Sequence, residues 1–157
     1  MKGSPYIRTE RLLLDGGNKR AYESTKTSVN LCRKPAALRK TILVVEDNAD
    51  AREMLSFILT AEGYSVTTAE DGQQGLDKVW GEPPDLIITD IDMPKLDGIE
   101  MIKRLRAESE SRAMPIVVMS AFGSGVIKDA LDAGASRSSP KPMQVRSLLS
   151  LVRQLLA

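Results

Sequence analysis

Three carboxylates stand within the stretch LIITDIDMPKLDG, Leu86 to Gly98: Asp90, Asp92 and Asp97. They follow an apolar, partly β-branched run. A second such run, ILVVED, ends on the pair Glu46-Asp47. A third, PIVVMS, ends on the hydroxyl of Ser120, and the amine of Lys141 follows SRSSP. If Glu46, Asp47 and Asp90 meet, they repel, and one is forced to protonate unless something positive sits among them. A hard divalent cation relieves the repulsion, and Mg²⁺ suits carboxylate oxygens plus retained waters. A carboxylate left accessible beside the metal is a nucleophile for phosphorus and gives an aspartyl phosphate. A metal, a lysine and a hydroxyl around it would stabilise charge on the transferring phosphoryl oxygens.

Each residue also has an ordinary use. EDNAD can cap a helix, Ser120 can cap another, and Lys141 can form a surface ion pair worth little. Chemistry is carried by the whole set. It requires four strands to end at one edge of a sheet on an acid pair, an acid, a hydroxyl and an amine.

The sequence from Thr41 onward provides such strands. TILVVED reads as a buried strand. NADAREMLSFILTAEG reads as a helix with Met54, Leu55, Ile58 and Leu59 at helical spacing, closed by Gly63. YSVTTAE is a second strand. DGQQGLDKVWGEPP is a short helix with Leu76, Val79 and Trp80 facing inward, ended by Pro83-Pro84. DLIITD is the third strand. The helix DGIEMIKRLRAE follows, capped by Asp97 with Glu100 completing a capping-box pattern. MPIVVMSA is the fourth strand, and GVIKDALDAGA is a helix ending at Gly134. SRSSPKP is a poorly apolar fifth strand. MQVRSLLSLVRQLLA is the last helix, with Val145, Leu148, Leu149, Val152 and Leu156 on one face.

Continuous apolar strands alternating with helices predict an α/β fold, a doubly wound parallel sheet covered on both faces. Functional residues in such sheets gather at the carboxyl ends of the strands. The four predicted strand ends satisfy that rule.

Composition narrows the chemistry further. The sequence contains no histidine, which excludes Ser/His and Cys/His catalysis, His-ligated zinc and a phosphohistidine-carrier role. Its one cysteine, Cys32, rules out a disulfide framework within the chain. No apolar run approaches a membrane span and the first residues lack a signal-peptide core, so a cytoplasmic location is expected, with no membrane partner. Residues 1–40 carry ten Lys/Arg against three Asp/Glu, and residues 41–157 carry twelve against eighteen. The two regions therefore differ in physics. Residues 1–40 show little periodicity and are expected to be a mobile basic extension, dispensable for the site. A contact for an acidic partner or nucleic acid is the sharper reading of that charge, but no aromatic interleaving accompanies it.

Residues 41–157 resemble the receiver domain of two-component response regulators over essentially the full domain length. The matching pieces are ILVVEDNADAREML, DLIITDIDMPKLDGIEMIKRLR, PIVVMSA and KP. The resemblance implies a flavodoxin-like five-stranded sheet in the order 2-1-3-4-5. It implies that Asp47 binds Mg²⁺ directly, that Glu46 acts through water, and that Asp90 is the phosphoacceptor. Asp92 would supply a backbone carbonyl to the metal. Ser120 would be the switching hydroxyl, Lys141 the phosphoryl-binding lysine, and the Lys141–Pro142 bond a candidate for cis. The implied partners are a sensor histidine kinase or phosphotransfer protein and a downstream protein target. Such a module catalyses only its own phosphorylation and dephosphorylation. The sequence ends after the last helix, so no attached DNA-binding effector and no direct DNA binding are expected.

This sequence departs from the family in three places. Ser138 stands where an aromatic residue usually lies three positions before the lysine. The fifth strand is polar, with Pro140 beside Lys141. The segment AFGSGVIKDALDAG is about one residue short. A degenerate receiver used only for docking is therefore one alternative. A haloacid dehalogenase-like phosphohydrolase is another, suggested by TDIDMP. There, however, the Asp-x-Asp strand comes first, whereas here the acid pair precedes it.

Overall fold

A computed structural model describes residues 39–121 and 123–157. The expectation of a mobile basic extension falls on residues 1–38, outside that range, and so does Phe122. Among the described residues ten elements alternate. They are β1 (Thr41–Val45), α1 (Ala49–Ala61), β2 (Ser65–Ala69), α2 (Gly72–Gly81), β3 (Leu86–Asp90), α3 (Gly98–Ala107), β4 (Ile116–Ser120), α4 (Ser124–Asp132), β5 (Arg137–Pro140) and α5 (Val145–Leu155). The five strands form one parallel sheet in the order β2-β1-β3-β4-β5, as expected.

The sheet is buried on both faces because its central strands are apolar at every position. Leu43 and Val45 point to one side, with Leu76 and Val79 of α2 and Met101, Ile102 and Leu105 of α3. Ile42 and Val44 point to the other, with Leu55 and Leu59 of α1 and Leu148, Leu149 and Val152 of α5. Each fully buried side chain of this size contributes on the order of 2 kcal/mol from apolar area removed from water.

Side-chain caps set the starts of the first three helices. Asn48 accepts from Ala51 N–H, Asp71 from Gln74 N–H and Asp97 from Glu100 N–H. Glu100 bonds Arg104 Nε rather than completing a reciprocal box. The N-cap of α4 is Gly123, which has no side chain to cap with.

Three expectations about facing are corrected. Trp80 does not face inward but is 54% exposed, and Met54 is 50% exposed. Both sit beside truly buried neighbours, Val79 and Leu55, one position round the helix. Val145, at the start of α5, is also 38% exposed.

At the amino-terminal edge of the sheet, Arg106 joins three connections. Its Nε donates to Gly134 O at 3.0 Å, Nη1 to Ser111 O at 2.8 Å and Nη2 to Met114 O at 2.8 Å. The other edge carries the charged residues singled out above.

Candidate functional site

β3 delivers Asp90 as its last residue, between β1 and β4. Its backbone is held closely. Asp90 O accepts from Thr89 Oγ1 at 2.8 Å, and Ile91 N–H donates to Asp90 Oδ1 at 2.7 Å. Gly98 opens α3 against this strand end, where a Cβ would stand 2.2 Å from Asp90 O. Only glycine permits that approach.

Glu46 and Asp47 leave β1 one strand away. Glu46 is buried and Asp47 exposed. Their backbone is pinned from α1: Arg52 Nη1 donates to Glu46 O at 2.6 Å and to Asp47 O at 3.2 Å. Carboxylate oxygens of Glu46, Asp47 and Asp90 lie within 4.8 Å of one another.

Lys141 closes the group. Its N–H donates to Ser120 O at 2.8 Å, tying the segment after β5 to the end of β4. The Lys141–Pro142 peptide is cis, as expected. Lys141 Nζ lies 2.8 Å from Glu46 Oε2 and 2.8 Å from Asp90 Oδ2. Burial pushes the Glu46 carboxyl above its ordinary range; the hydrogen bond from Lys141 pulls it back, and the charge of Asp90 pushes it up again. Burial works against the Lys141 ammonium, but its bonds to Asp90 and Glu46 outweigh this and raise its pKa. The site thus has more negative charge than one ammonium satisfies.

The structure brings together Glu46, Asp47, Asp90 and Lys141. Ser120 is buried at the same edge, joined to Lys141 through its carbonyl. Asp92 is exposed in the loop after Asp90, and its carboxylate is not part of the clustered three. Ser138 lies in β5 opposite Val118. Asp97 is a helix cap with no place in the cluster. Two contributors were not anticipated. Arg52 gave only the signal of a basic residue one turn into a helix, and the Asp71–Lys95 pair described below gave none.

Among the described residues the donor set is that of a hard cation: three carboxylates, with no thiolate and no imidazole. The residues present therefore fit Mg²⁺.

Comparison with known proteins agrees with this arrangement. The family model for the response regulator receiver domain matches residues 42–153. The response regulator MprA of Mycolicibacterium vanbaalenii is 41% identical over 116 residues, covering 73% of this chain and 49% of that protein. The chain thus spans about half the length of the curated relatives it matches. Among solved structures, the chemotaxis response regulator CheY4 of Vibrio cholerae is 32% identical with a TM-score of 0.71, covering 75% of this chain and 99% of that one. The receiver domain of a sensor histidine kinase from Pseudomonas aeruginosa is 28% identical with a TM-score of 0.71, covering 75% of this chain and 98% of that one. That structure has a magnesium ion coordinated in its active site cleft.

Proposed function

We propose, from the premise that this chain belongs to the response regulator receiver domain family, that it accepts a phosphoryl group on Asp90 and passes the signal on through protein–protein contacts. The donor is the phosphohistidine of a sensor histidine kinase or phosphotransfer protein, and the setting is the cytoplasm. The observation that carries this reading is the position of Lys141 Nζ, 2.8 Å from a carboxylate oxygen of both Asp90 and Glu46.

In the proposed step an Asp90 carboxylate oxygen forms a bond to phosphorus while the bond from phosphorus to the donor nitrogen breaks. The imidazole nitrogen keeps the electron pair. Mg²⁺ held by Asp47 and Asp90, with Glu46 through water and the Asp92 carbonyl, would supply charge neutralisation at the phosphoryl oxygens. Lys141 provides a second positive charge at the same edge and Ser120 a hydroxyl that can donate to a phosphoryl oxygen. Little covalent chemistry is asked of the protein beyond positioning and charge.

The alternative is docking without phosphorylation, favoured by the small, polar Ser138 in β5. Mass spectrometry after exposure to a small phosphodonor and Mg²⁺ separates the readings. One stable phosphoryl adduct, lost in Asp90→Asn, supports the proposal. An unmodified wild-type chain supports docking alone.

A further inference from the structure

The loop between β3 and α3, residues 91–97, carries Asp92 and is gripped from outside the site. Lys95 Nζ lies 2.6 Å from Asp71 Oδ2, 24 residues earlier in the chain. Asp71 is only 2% exposed. Its other oxygen, Oδ1, accepts from Gln74 N–H at 2.8 Å and caps α2. Both carboxylate oxygens are therefore committed, one to a helix and one to the loop.

Two further features converge there. Gly72 N–H donates to Leu96 O at 3.2 Å. A Cβ at Gly72 would stand 2.4 Å from that oxygen, so a side chain would drive the loop away. Lys95 itself has φ of +67°, and among the described residues it is the non-glycine residue in that region. Left-handed backbone is costly for a residue with a Cβ and persists where surrounding structure imposes it. A surface ion pair alone is worth little. Here one partner is buried, so its charge needs a counterpart, and the lysine that supplies it bends the loop to do so.

We infer that Asp71 and Lys95 are positioning residues for the metal end of the site. Together they fix residues 91–97 so that Asp92 is held beside Asp90 in the orientation the cation requires. This rests on the Mg²⁺-dependent reading above. Neither residue touches the acid cluster; they act through the loop, as outer-shell partners of metal ligands do.

The test is Mg²⁺ titration of the full chain by calorimetry, with melting in EDTA as a companion measurement. Lys95→Met keeps the Cβ and removes the charge. Lys95→Arg keeps the charge. Asp71→Asn retains a good helix cap. Lys95→Met and Asp71→Asn are expected to weaken Mg²⁺ binding about tenfold or more, while Lys95→Arg binds as the wild type does. Wild-type affinity in Lys95→Met, or a loss that Lys95→Arg does not restore, overturns the inference. A wild-type chain that binds no Mg²⁺ fails earlier and differently: it refutes the metal-dependent reading and this inference with it.

Discussion

Lys141 Nζ and Glu46 Oε2 are 2.8 Å apart although 95 residues separate them in the chain. Glu46 is almost wholly buried, so its charge depends on that ammonium. Lys141→Met should destabilise the metal-free protein by about 1–3 kcal/mol, the cost of stranding a buried polar group. Mg²⁺ should recover part of the loss, since a cation replaces the missing charge. Urea unfolding with and without Mg²⁺ measures both; identical losses in the two conditions would contradict a metal held by Asp47 and Asp90 beside Glu46.

Asp90→Asn should fold normally and gain no phosphoryl group. The change is nearly isosteric: the amide oxygen can keep the bond from Ile91 N–H, while an amide nitrogen in place of Oδ2 gives up the bond from Lys141 Nζ. Intact-mass measurement after phosphodonor treatment checks this. Equal labelling of wild type and variant would move the acceptor elsewhere.

Mg²⁺ should raise the melting temperature because it binds the folded arrangement of the three carboxylates. At a hundred times Kd the gain is about 2.7 kcal/mol. Asp47 is exposed, so Asp47→Ala should leave the metal-free protein near wild-type stability while removing most of the Mg²⁺ shift. A full shift in that variant would place the cation away from β1.

Asp71 gives a pH dependence of known sign. The hydrogen bond from Lys95, then that from Gln74 N–H, hold its carboxyl below the ordinary range despite burial. A depressed folded-state pKa means stability present above the unfolded value, about 3.9, and lost as pH falls through the folded one. Unfolding free energies measured from pH 6 down to pH 3 should therefore fall less steeply at the acid end in Asp71→Asn than in wild type. Parallel curves would show that the pair contributes nothing to acid stability.

Ser138 sets an expectation for the switch. It has no ring to fill the space that the Ser120 hydroxyl would vacate in the proposed function, and β5 is a four-residue polar edge strand. The structural response to a stable phosphoryl mimic should be weak and confined to residues 120–128. Amide exchange tests this. A large protection change across residues 136–139, matched in α5, would restore a full receiver switch by another route.

The sheet was readable because β1, β3 and β4 are apolar at consecutive positions, which only a strand buried on both faces tolerates. The polar residue ending each run then named the functional edge, and Asp90, Ser120 and Lys141 fall there. β5 was legible mainly through the resemblance, since RSSP has no apolar pattern. Trp80 and Met54 were misplaced for a physical reason. Helical spacing locates a stripe but not its margin: Trp80 lies one residue after the last buried position of α2, Val79, and Met54 one residue before the first of α1, Leu55. The Arg52 and Asp71–Lys95 contacts were invisible because backbone carbonyls and positive φ leave no mark in residue type. Their partners are fixed by tertiary approach alone.

The three-way grip of Arg106 has a bearing on how the molecule comes apart. Its acceptors are neutral carbonyls, and although burial lowers its pKa, a guanidinium keeps its charge throughout the accessible pH range. That corner is therefore insensitive to acid, to chelators and to phosphoryl state. On the proposed function, the carboxyl-end rim would respond to all three. Local opening should start at the rim and reach the Arg106 corner last, so the domain has a permanent floor beneath an adjustable ceiling. Amides near Ser111, Met114 and Gly134 would then exchange by a route that no signalling event alters.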